Sequence, residues 1–81
     1  MKTIKSLSNY YLKELKRIET TNYDEKIYFK INRILKRLGN VFTAIHDDID
    51  IDMSDDDHDI LLFTIKKAIA LRKKIIKVLF T

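Results

Sequence analysis

Cysteine, proline and tryptophan are absent from this chain, and glycine occurs once, at Gly39. Without cysteine there is no disulfide framework, no thiolate metal site and no thiol nucleophile. Without proline, and with one glycine, the tight turns that join strands lack their usual residues, so a sheet is not expected. A phosphate loop or an oxyanion turn is equally hard to build, and no nucleophile–base–acid set suggests itself. Long apolar runs are missing too. The longest, Ile60–Phe63 and Ala68–Leu71, are four residues, against the about 20 that a membrane span needs. Met1 to Leu7 carry two lysines with no apolar run behind them, which argues against a signal peptide. The expectation is a soluble, cytoplasmic protein (of the producing or host cell) that is not an enzyme and needs no cofactor.

What is present points to helices. The 81 residues are 46% hydrophobic and 35% charged, a composition that folds. So short a chain buries only about 60–65% of its unfolded surface, which favours long, well-packed helices or two copies pooling their cores. Ile4, Leu7, Tyr11, Leu15 and Ile18 fall on one face of a first helix over about 3–19. Asn22 and Glu25 then have capping-box spacing. Ile27, Ile31, Ile34, Leu38, Val41 and Ile45 repeat at 4, 3, 4, 3 and 4, a heptad stripe on a second helix over about 23–46 that Tyr28, Leu35 and Phe42 widen. Ser54 and Asp57 suit the start of a third, over about 55–80. Its buried stripe is read as Leu61, Leu62, Ile65, Ala68, Ile69, Ile75, Ile76 and Leu79. One all-α domain of residues 1–81 follows: a three-helix up-down-up bundle with a long hairpin of the second and third helices. The first helix is shorter, leaving part of that hairpin for a second copy to cover as a homodimer.

Charge is segregated along the chain. It runs +6 over residues 1–45, −8 over 46–59 and +6 over 60–81, which leaves the +4 of the whole. Residues 46–59 hold eight of the 12 acidic residues, both histidines and no lysine or arginine. Folded as a bundle, the molecule is acidic at one tip and basic at the other, a dipole able to steer a partner. The loop 47–54 opens the acidic tip, and Asp47, Asp48, Asp50, Asp52, Asp55, Asp56 and Asp57 are its candidate partner-contacting residues. Closely spaced carboxylates can imitate nucleic-acid phosphates and so occupy a basic groove on another protein. Asp55 to Asp57 are also what the positive end of a helix dipole favours, whereas Asp47 to Asp52 follow the negative end of the second helix.

Asp48, Asp50 and Asp52 are spaced like positions 1, 3 and 5 of a calcium-binding EF-hand loop, and the count continues through Ser54, Asp56 and Asp59. The resemblance covers these 12 residues and their flanking helices. It implies oxygen ligation of a hard cation by Asp48, Asp50, Asp52, Asp56 and Asp59. The departures cut against it. Met53 stands where glycine makes the sharp turn, Asp55 where an apolar residue is usual, and Asp59 where a bidentate glutamate closes the site. A solvated acidic loop is therefore the expectation, and weak Ca²⁺ or Mg²⁺ binding its alternative. His46 and His58 each precede an aspartate and are expected to flank the tip as exposed side chains.

Two helix faces are basic with an aromatic among the cations. The second helix places Phe29 with Arg33 and Lys36, and the third places Phe63 with Lys66, Lys67, Lys73, Lys74 and Lys77. Lysines that meet phosphates beside an aromatic that stacks a base would bind nucleic acid; alternatively these faces pack on a partner. Arg72 falls inside the stripe read for the third helix. It needs an acid, with Glu14 in view, or it reaches along a neighbouring stem to water. The pattern as a whole reads as a small non-enzymatic binding or regulatory protein that acts by occupying a protein partner. Inhibitors and immunity proteins of phages and mobile elements have this size and fold type. Nucleic-acid binding by the lysine faces is the second reading, and a cation-responsive helix–loop–helix the third.

Overall fold

The computed structural model describes residues 4–47 and 55–80, with side chains given for 4–44 and 55–80. Three helices, α1 (Ile4–Thr20), α2 (Glu25–Asp47) and α3 (Asp55–Leu79), form an all-α bundle, and no strand occurs among the described residues. The bundle is elongated, 44 × 20 × 19 Å. No described helix is long and apolar enough to cross a membrane. Contacts between Glu19 and Lys74, and between Tyr28 and Phe80, put the end of α1 and the start of α2 beside the end of α3. The helices therefore run up, down and up.

Asp24 starts α2. Its Oδ1 accepts the Ile27 N–H at 2.9 Å, and its backbone oxygen accepts the Tyr28 N–H. The cap is thus Asp24 and not Asn22, and the helix begins two residues later than the capping-box spacing suggested. Aspartate at this place satisfies an orphan N–H and also carries charge toward the positive end of the helix. At the other side of the turn the hydroxyls of Thr20 and Thr21 donate to the carbonyls of Arg17 and Ile18, both at 3.0 Å. Those bonds cover carbonyls that a left-handed glycine commonly covers, and no residue of positive φ occurs among those described. At the acidic tip α3 opens with Asp55, Asp56 and Asp57, as its dipole favours. Ser54, read as its cap, lies outside the described residues, as do Ile45 and Asp47 in their side chains.

The buried faces keep heptad rhythm on all three helices. On α2 they are Ile31, Ile34 and Leu38, with Ile27 and Val41 partly buried, as the stripe foretold. On α1 the buried residues are Ser8, Tyr11, Leu15 and Ile18, and Ile4 and Leu7 pack at the margin. On α3 they are Leu61, Thr64, Ala68, Leu71 and Ile75. That face is rotated from the expected one: Leu71 is core, Ile69 is 42% exposed, and Arg72 is exposed. Thr64 and Ala68 give α3 a slim face, and both other helices approach it closely. α1 and α2 meet each other at few points. Thr64 stays satisfied through its hydroxyl, which donates to the Ile60 carbonyl at 2.7 Å. The Ser8 hydroxyl is fully buried with no hydrogen-bond partner among the described residues.

Candidate binding surfaces

The amphipathic faces that build the core also decide which cations share a surface. Along α1, Leu12, Lys16 and Glu19 occupy the flank toward α3. Along α3, Phe63, Lys67, Ala70 and Lys74 occupy the flank toward α1, four, three and four residues apart. Together with Leu15 and Leu71 they line an open groove of about 430 Å³. Its floor is apolar and its rim carries three lysines. Glu19 meets Lys74 at 3.9 Å, a long and exposed pair that leaves the rim net positive. The Lys67 ammonium stands over the Phe63 ring, 5.6 Å from its centroid, so one face of that ring already holds a cation. Phe63 is 52% exposed. Lys66, Lys73 and Lys77 follow on the outer side of α3.

Phe29 is 64% exposed among Lys26, Arg33 and Lys36, but on α2. Tyr28 beside it touches both Arg72 and Phe80, so Phe29 lies level with residues near 76. That is about 20 Å along the bundle from Phe63 at 1.5 Å per residue. The residues named for a basic surface thus divide into two. Phe63, Lys67 and Lys74 come together with α1, whereas Phe29, Arg33 and Lys36 form a separate face.

Arg72 is not a core residue and does not pair with Glu14. Glu14 faces α2, where its carboxylate meets Lys30 Nζ at 3.2 Å and Arg17 at 3.4 Å. The Arg72 side chain extends along α2 to the Tyr28 hydroxyl. Hydrogen bonds there from Asn32 and then from Arg72 hold the Tyr28 phenol below its ordinary value of 10.0. Phe80 closes edge-on against the same tyrosine, ring centroids 5.2 Å apart. This cluster at the basic end was missed from sequence, where Tyr28 counted only as an edge of the α2 stripe. Its signal is the hairpin's antiparallel register, which sets residues near 28 opposite those near 76.

At the acidic tip, Asp55, Asp56 and Asp59 are exposed and Asp57 is half-buried. Asp48, Asp50 and Asp52 lie outside the described residues. Among the described residues no three histidine, aspartate or glutamate side chains are grouped to hold a metal ion. His58 differs from its expectation. It is half-buried, its ring 6.0 Å from that of Phe42 across the hairpin. His46 has no described side chain. Compared with known proteins, the chain matches no family model, no curated protein and no solved structure.

Proposed function

We propose that this is a non-enzymatic binding protein that acts by occupying the surface of a protein partner, with the α1–α3 groove as its contact site. The observation that carries the reading is the groove itself: an apolar floor of Leu12, Leu15 and Leu71 inside a rim of Lys16, Lys67 and Lys74. Such a site takes an acidic segment with apolar anchors. The carboxylates steer and orient, and the buried apolar contact holds. The acidic tip is the weaker candidate, because Asp55, Asp56 and Asp57 are already accounted for by the start of α3.

Nucleic acid is the second reading, favoured by the outer lysines Lys66, Lys73 and Lys77, which run along the same helix as Phe63. Against it stand the lysine over the Phe63 ring and the separation of Phe29 from that face.

Two experiments on the full chain divide these readings. A gel shift with short duplex and single strands at low salt is expected to show no binding. A shift that falls steeply with salt would establish the nucleic-acid reading instead. Capture of protein partners by the wild type is expected to be lost on Lys67→Glu with Lys74→Glu, and kept when Asp55, Asp56 and Asp57 become asparagine. The opposite pattern moves the contact to the tip.

A further inference from the structure

The groove between α1 and α3 has its complement elsewhere in the same chain. Seven residues, 48–54, join α2 to α3, whereas four, 21–24, join α1 to α2. A helical hairpin closes with about two to five. The longer connection does not have the composition of an ordinary turn. Asp48, Ile49, Asp50, Ile51, Asp52 and Met53 alternate carboxylate and large apolar side chain without a break. A spacing of two is not the three-and-four rhythm of the helical stripes. In an extended peptide such alternation sends the apolar groups to one side and the acids to the other.

The groove offers what that pattern requires. Its floor is Leu12, Leu15 and Leu71, and its rim sets Lys16, Lys67 and Lys74 against one acid, Glu19. The segment brings three carboxylates and no cation. It cannot serve the groove of its own copy. Ile49 and Met53 are each two residues from a helix end and Ile51 is four, so none reaches further than about 14 Å from those ends. Lys67 and Leu71 lie 12 and 16 residues beyond Asp55, about 18 and 24 Å along α3.

We propose that residues 48–53 of a second copy occupy the groove, so that the chain associates head to tail and thereby closes the groove to other acidic ligands. The proposal rests on the groove being the contact site. Apolar anchoring on the leucine floor holds the segment, and the lysines orient its carboxylates. The two surfaces in contact differ. Each copy offers one groove and one segment, and association runs on into a closed ring or a filament.

Two variants of the full chain test this. Lys67→Glu with Lys74→Glu spoils the groove and keeps the segment. Asp48→Asn with Asp50→Asn and Asp52→Asn spoils the segment and keeps the groove. In sedimentation equilibrium the wild type is expected to rise above 9.7 kDa with concentration, less so at high salt, and each variant to stay at 9.7 kDa. Mixed, the two variants are expected to pair at twice 9.7 kDa and go no further, because one sound groove and one sound segment remain between them. That pairing also excludes a folding fault in either variant. A fluorescein-labelled peptide of residues 46–54 is expected to bind the segment variant in an anisotropy titration. Serine at Ile49, Ile51 and Met53 of the peptide weakens binding by about tenfold or more, with the charge unchanged. The proposal is overturned by a wild type of 9.7 kDa at every concentration, by self-association that survives in either variant, by a mixture that does not pair, or by a serine peptide that binds as well as the natural one. The groove reading fails separately: Lys67→Glu with Lys74→Glu then leaves the capture of other protein partners intact.

Discussion

Replacing Ser8 with alanine is expected to stabilise the fold, against the usual direction of a core substitution. The Ser8 side chain is fully buried, and its hydroxyl has no partner among the described residues. A buried hydroxyl left unpaired costs about 1–3 kcal/mol relative to water. Alanine removes that cost and is the better helix former by about 0.5 kcal/mol. The void left by a single oxygen returns less than about 1 kcal/mol, being smaller than a methyl group. The net gain is about 1–2 kcal/mol, and for a domain of this size each kcal/mol raises Tm by about 4–8 °C.

Thr64→Ala supplies the contrast. Its hydroxyl is equally buried but bonded to Ile60, and the change also deletes a packed methyl, so it should cost about 1–3 kcal/mol. Urea and thermal unfolding followed by circular dichroism measure both, with unchanged m-values securing the comparison. The reasoning is refuted if Ser8→Ala lowers Tm or leaves it where it was. The hydroxyl would then have a partner in solution, such as a carbonyl one turn back.

Two further predictions rest on local chemistry. Asp24→Ala removes the α2 cap and should cost about 1 kcal/mol, with fraying at the start of α2 visible as faster amide exchange at Ile27 and Tyr28. The Tyr28 phenol should ionise below 10.0 in a tyrosinate absorbance titration and return toward that value when Asn32→Ala and Arg72→Gln are combined. The sign of the linked stability follows from a lowered pKa. The contribution is fully present above pH 10.0, is lost as pH falls through the lowered value, and is absent at neutrality.

The α2 stripe was legible in sequence because every position in it is a large apolar residue. The other two faces were harder for one physical reason: heptad packing fixes the place of a residue, not its polarity. Ile4, Ser8, Tyr11, Leu15 and Ile18 keep the 4-3 rhythm, as do Leu61, Thr64, Ala68, Leu71 and Ile75. In each series a small hydroxyl residue sits where an apolar one was sought. On α3 the apolar residues also extend well past the core, over Leu62, Ile69 and Ile76. Reading the face from hydrophobicity alone turned it toward that flank, made Ile69 core and left Arg72 stranded among apolar neighbours. The basic groove was half legible. Phe63, Lys67 and Lys74 were named, but the α1 residues that complete it needed the parallel pairing of α1 with α3. Most of the acidic loop lies outside the described residues.

The arrangement in which α1 and α2 each lean on α3 and scarcely on each other has a consequence for how the chain acquires its fold. While α1 and α2 are leaving the ribosome, their apolar stripes have only a small part of each other to close on. The core exists only once α3 arrives, so the first two helices wait as amphipathic segments exposed to any competing apolar surface. The α2–α3 hairpin can then zip through neighbouring sequence, whereas α1 must be caught across the whole length of α2. A chain cut after residue 47 keeps two of the three helices and none of the interfaces with α3 that hold the bundle together.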